Sequence, residues 1–138
     1  AVRGDVRERD GPARVTVAAA PVRRRSPIGA ALALARWPNA LIAAAGVLMG
    51  GWWVEPAALL TRPMLLAMAV ALCATAAFNA FDDVQDVDVD AVAHPDRPLP
   101  RGELSLASAM VIGTTAASLA VAAAGATSGE LLETIALA

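Results

Sequence analysis

From Ile28 to Val54 the chain is almost continuously apolar, interrupted only by Arg36, Pro38 and Asn39. A second apolar run covers Met64 to Phe81, and a third begins near Leu104 and continues to about Ala126. Each is apolar nearly all round, the pattern of a helix surrounded by lipid or by other apolar helices rather than one with a solvated face. The lengths predict three membrane-crossing helices, at about 37–54, 63–81 and 104–126, and an all-α transmembrane bundle. The turn EPAALLTRP joins the first two. Trp52 and Trp53 close the first run as interfacial anchors. Glycine and alanine recur often enough in the third run for close helix approach.

Composition strengthens this reading. Hydrophobic residues make up 57% of the 138 residues and the mean hydropathy is +0.56, well above the range of soluble domains. All eleven basic residues are arginine and the net charge is -2, so no one-signed basic face is available for nucleic acid. Cys73 is the single cysteine, which rules out a disulfide within the chain and leaves it as a small packing residue. Residues 1–27 hold seven arginines among acids, glycine and prolines, and are predicted to form a disordered tail. With Arg97 and Arg101 between the second and third runs, and only Arg62 in the other connection, the positive charge places the tail and the 82–102 segment on the cytoplasmic side. Arg23–Arg25 followed by IGAALALA imitates a secretory signal, but the apolar character does not stop after Ala35. The chain opens on alanine and stops in ETIALA, and we read it as a fragment.

The chemistry concentrates in DDVQDVDVD, five aspartates in the nine residues 82–90. On a continuous helix with Asp82 at 0°, Asp86 falls at about 40°, Asp90 at about 80° and Asp83 at about 100°, with Asn79 near 60°. Asp88 falls at about 240°, on the far side, and is set aside. Carboxylates crowded at a helix C-terminus repel one another and gain nothing from the backbone dipole, so a cation is needed. Magnesium suits the position, taking one or two carboxylates and completing its shell with waters and phosphates. An EF-hand starting at Asp86 fails, since its sixth position is Ala91 and its twelfth Arg97. The sequel HPDRPLPRG fixes an extended path and brings Arg97 and Arg101 toward the carboxylates, a combination that suits a magnesium diphosphate. His94, without a second histidine nearby, is read as a loop residue.

These residues resemble the UbiA-type intramembrane prenyltransferases, whose signature N-D-x-x-D-x-x-x-D is followed by D-R-P-[LI]-P-x-G. Here Asp82 to Asp90 and Asp96-Arg97-Pro98-Leu99-Pro100-Arg101-Gly102 hold those places, six residues apart. Arg36-Trp37-Pro38-Asn39 is similar to the R-P-x-N that opens the family's first helix. Asp82 stands where the family usually has asparagine. The resemblance covers roughly residues 30–126, making 28–138 a partial prenyltransferase domain: about three helices of a larger fold of about eight or nine. The family's second aspartate-rich motif is absent, so these residues alone are expected to be inactive.

The resemblance implies magnesium-dependent transfer of a prenyl group from an isoprenoid diphosphate to a hydrophobic or aromatic acceptor in the bilayer, of lipid or quinone-precursor type. Asp82, Asp86 and Asp90 would be catalytic and hold Mg2+ on the diphosphate, while Arg97, Asn39 and Asp83 would bind the diphosphate itself. A cavity among the helices would take the isoprenoid tail. Gly46, Gly50 and Gly51 serve that cavity or, more simply, close helix packing. The expected setting is a bacterial or archaeal plasma membrane. Two other readings compete: a noncatalytic or truncated membrane protein with a cation-binding acidic loop, and a soluble-type polyprenyl diphosphate synthase, whose helices would be amphipathic.

Overall fold

The computed structural model describes residues 24–136, so most of the predicted disordered tail lies outside the described residues. The described residues form α1 (Pro27–Leu34), α2 (Trp37–Val54), a 3₁₀ turn at Pro56–Ala58, α3 (Arg62–Gln85), α4 (Val87–Ala93) and α5 (Leu106–Ala136). The protein is all-α, as the apolar runs predict. Helix α2 occupies the predicted first span, and α3 and α5 contain most of the second and third but run further toward their C-termini.

Helix α1 is an addition to the three-helix reading. Pro38 explains why it is separate: in one continuous helix its ring would press on the carbonyl of Leu34, and its missing N–H would leave that carbonyl without a donor. The chain breaks instead, and Arg36 adopts a left-handed conformation, φ 46° and ψ 54°. A side chain in that region costs about 1–2 kcal/mol. The two helices meet at a 53° bend. The Asn39 N–H, which a continuous helix would aim at Ala35, donates to Arg36 O at 2.8 Å. Ala35 O is thereby freed, and the side-chain amide of Asn79 on α3 donates to it at 2.9 Å. Ser26 caps the start of α1, accepting from the Gly29 N–H at 3.1 Å.

Helix α3 is the middle element, packing along α5 and, less extensively, along α2. The contacts are made by small side chains: Ala40, Ala44, Ala77, Ala80, Ala109 and Ala120 are buried, and Leu34 is the largest side chain that is fully so. Larger hydrophobics such as Ile42, Met49, Phe78 and Val121 point outward. Helices α3 and α5 are each long and apolar enough to cross a membrane, and α1 with α2 makes a third, bent candidate. Hydroxyls in α5 find partners on their own helix, Thr114 donating to Met110 O at 2.8 Å and Ser118 to Thr114 O at 2.8 Å, as backbone-rich, water-poor surroundings demand. Cys73 is a free thiol midway along α3. Gly51 fits against Met64, whereas nothing lies within 4 Å of where a side chain would start at Gly46 or Gly50, so packing accounts for one of these three glycines.

Candidate functional site

The site is built where α3 ends beside the α1–α2 break. Leu34, Ala80, Leu99 and Ala109 make a small apolar core there, with Val84, Val87, Leu104 and Ile112 packed around it. Above this core α3 stops at Gln85. Asp86 lies outside helical geometry, at φ -95° and ψ 12°, and α4 begins one residue later. Helices α3 and α4 are therefore separate, but the helical pattern carries on across the junction, with the Asp86 N–H donating to Asp82 O and the Asp90 N–H to Asp86 O at 2.8 Å. Asp83 and Asp90, neighbours on the predicted arc, both meet Arg97.

Two of the aspartates are buried, Asp83 at 2% exposure and Asp90 at 3%. Each is held by arginine. Arg36 Nη2 donates to Asp83 Oδ1 at 2.5 Å and lies 3.5 Å from Asp82 Oδ2. Arg97 Nη1 donates to Asp90 Oδ2 and reaches Asp83 Oδ1 at 3.4 Å. Burial works against the charge of Arg97, but the hydrogen bond to Asp90 and the negative charges of Asp83, Asp90 and Asp82 outweigh it and raise its pKa further. A chain of alternating charge, Arg36–Asp83–Arg97–Asp90, thus crosses from α2 through α3 to the loop and α4. A buried carboxylate needs such partners, because desolvation without them costs several kcal/mol.

Asp82, Asp86 and Asp88 are exposed. Asp88 stands apart from the ionic chain, as the sequence suggested. Asp83, ranked behind Asp82, Asp86 and Asp90 in the sequence reading, is the carboxylate on which both arginines converge. Asn39 is exposed at the start of α2 and contributes no side-chain hydrogen bond to the cluster; the amide engaged here is Asn79. Arg101 pairs with Glu103 at 3.0 Å. Arg36 was missed as a site residue. Its signal was in the R-W-P-N tetrapeptide, where the proline that breaks the helix also swings the preceding arginine toward α3.

No three carboxylate, histidine or cysteine side chains among the described residues are grouped closely enough to hold a metal ion by themselves. Asp82 and Asp86, one helical turn apart, with the Asp86 N–H donating to Asp82 O at 2.9 Å, leave their oxygens toward solvent. That pair fits a magnesium that completes its shell with water and phosphate oxygens.

Beside the break, a groove of about 450 Å³ is lined by Leu32, Ala35, Trp37, Leu41 and Leu72. A smaller one, about 220 Å³, lies between α3 and α5 against Phe78, Phe81 and Val121. Trp52 and Trp53, exposed at the end of α2, lie at the opposite end from the aspartates: Arg36 at one end of α2 meets Asp83, and Gly51 at the other meets Met64.

Long apolar helices make this an integral membrane protein, with a cluster of paired charges at one end of them. The chain belongs to the UbiA prenyltransferase family, whose model matches residues 40–138. It is 37% identical over 82 residues to a digeranylgeranylglyceryl phosphate synthase from Methanoculleus marisnigri, covering 59% of this chain and 29% of that protein. Proteins of the same description from Natronomonas pharaonis and Methanopyrus kandleri are 36% identical over 84 residues and 44% identical over 78, covering 61% and 56% of this chain. The chain spans about 30% of the length of these relatives. No solved structure shows a significant match.

Proposed function

We propose that the protein to which this chain contributes transfers a prenyl group from an isoprenoid diphosphate to an acceptor held in the membrane, and that the described end of the bundle binds the diphosphate. The observation that carries this reading is the charged chain Arg36–Asp83–Arg97–Asp90 with Asp82 and Asp86 open beside it, directly next to an apolar groove. A diphosphate ester of an isoprenoid has the same two-part character, a compact polyanion on a long apolar tail.

Asp83 and Asp90 orient Arg36 and Arg97, whose planar guanidinium groups can meet phosphate oxygens with paired hydrogen bonds. Asp82, Asp86 and Asp90 would hold magnesium, which would supply charge neutralisation for the departing diphosphate. The groove lined by Leu32, Leu41 and Leu72 receives the tail and keeps water from the allylic carbon. The arginine distribution supports a cytoplasmic setting for this end. The relatives share a product name, digeranylgeranylglyceryl phosphate, which favours a geranylgeranyl donor and a glycerol phosphate lipid acceptor over a quinone precursor, in an archaeal-type membrane.

The test is incubation of the full-length protein with labelled geranylgeranyl diphosphate and either geranylgeranylglyceryl phosphate or a quinone precursor, with magnesium or with a chelator. Label should move to the lipid acceptor only when magnesium is present, and Asp86→Asn should lower turnover at least about 100-fold, the scale of losing one transition-state charge contact. Full activity of Asp82→Asn and Asp86→Asn would overturn the reading and leave an acidic loop without a catalytic part.

A further inference from the structure

A second ionic group sits at the same end, away from the aspartates, and the proposed chemistry does not use it. Glu103 lies in the loop after Gly102, outside the membrane-crossing helices, yet its side chain is only 2% exposed. Its carboxylate accepts from the Arg25 backbone N–H at 3.1 Å and from Arg25 Nη1 at 3.0 Å, and it pairs with Arg101 Nη2 at 3.0 Å. Three donors on one covered carboxylate is a built arrangement, spanning a sequence separation of 78 residues between Arg25 and Glu103.

What it holds is Arg97. Arg25 Nη1 also donates to Asp96 O, at 3.1 Å, the residue before Arg97. Glu103 donates its own N–H to Pro98 O, at 2.9 Å, the residue after it. The two partners of one ion pair thus fasten the loop on either side of Arg97, Arg25 through its guanidinium and Glu103 through its backbone, while Pro98 and Leu99 are buried beneath. The same pair fixes the start of α1, since Arg25 immediately precedes the cap residue Ser26. Helix α1 in turn leads to Arg36. Both arginines that reach Asp83 are thus referred to a single clasp.

We propose that Glu103 is a positioning residue: clasped by Arg25, it seats the loop carrying Arg97 and so sets the affinity of the carboxylate–arginine site for a diphosphate that Glu103 does not touch. This rests on the diphosphate-binding reading above. Its consequence appears when a ligand arrives. Phosphate oxygens compete with Asp83 and Asp90 for the Arg97 guanidinium, and the loop then depends on the clasp to keep that side chain in place.

The test uses the full-length protein with Glu103→Gln and, separately, with Arg25→Gln. Glu103→Gln removes charge-assisted hydrogen bonds while keeping size. It should raise KM for the isoprenoid diphosphate about tenfold with kcat changed less than about twofold, because the loss falls on binding rather than on the reacting bond. Amide exchange across residues 96–103 should quicken by about the same factor. Arg25→Gln, which loosens the same clasp from its other side, should change both in the same direction. A fall in kcat or in folded yield with KM unchanged would assign Glu103 a merely structural part and overturn the proposal, as would unchanged loop exchange in Glu103→Gln. A wild-type protein that neither transfers prenyl groups nor binds inorganic diphosphate with magnesium would overturn the functional reading instead. The exchange measurement would then decide alone whether the clasp seats the loop.

Discussion

Along α3 the packing changes in kind. In its body the neighbours are alanines and glycines of α2 and α5, with no polar side chain needed between helices; from Asn79 to Asp90 a hydrogen bond and ion pairs join the small apolar core around Ala80. In lipid there is little hydrophobic gain from bringing apolar helices together, so the small residues act by permitting close van der Waals approach. Such contacts fix the spacing of helices but tolerate sliding along their axes. Ion pairs and the Asn79–Ala35 hydrogen bond are directional and fix register. The body therefore sets how near the helices stand, and the charged end sets which residues face one another.

The largest effect should come from breaking the charged end at its centre. Asp83→Ala leaves Arg36 and Arg97 without their shared carboxylate and should cost about 3 kcal/mol, the scale for removing one partner of a buried ion pair. Asp82→Ala, at an exposed position 3.5 Å from Arg36, should cost less than about 1 kcal/mol. Denaturation of the full-length protein in detergent compares the two. Equal losses would mean that register is not set by Asp83.

A smaller effect should come from the apolar packing of α3 on α5. A β-carbon at Gly113 would lie 2.8 Å from Phe81 Cε1 and 3.1 Å from Cδ1, so the ring must move. Overpacking of about 1–3 kcal/mol competes with a gain of about 1 kcal/mol from removing a helical glycine. Gly113→Ala should therefore destabilise by about 1 kcal/mol, and combining it with Phe81→Ala should remove the interaction between the two sites in a double-mutant cycle. Additive losses would show that the ring is not what sets the α3–α5 distance.

The body was also the part that the sequence disclosed. Apolar length alone predicted α2 within its residues and most of α3 and α5, because a bilayer imposes that length on any helix that crosses it. The charged end was legible in composition but not in arrangement. Nothing in DDVQDVDVD signals that the helix stops at Gln85, since no proline or glycine marks the place; the arc did put Asp83 beside Asp90, but not the arginines between which they are buried. Pro38 did carry the α1–α2 break in its chemistry, although only the fold shows that Arg36 then meets a residue 47 positions away. Arg25 and Glu103 gave no signal at all. Each reads as an ordinary solvated charge until the chain brings them together.

The smallest prediction separates the two ionic groups of the charged end by pH. Burial works against the Glu103 carboxylate, but hydrogen bonds from the Arg25 backbone and guanidinium, with the charges of Arg101 and Arg25, prevail and hold its pKa below the ordinary 4.5. The folded protein thus binds the Glu103 proton less readily than the unfolded chain. Stability from the clasp is fully present above pH 4.5 and drains away as pH falls through the lower folded value. Wild type and Glu103→Gln should differ in Tm at pH 7, and the gap should narrow below pH 4.5 as wild type itself becomes protonated there. The other carboxylates titrate in both proteins and cancel in the difference. A gap that stays constant into acid would mean that Glu103 is valued for its shape, and that the charge it presents to Arg25 and Arg101 does not seat the loop.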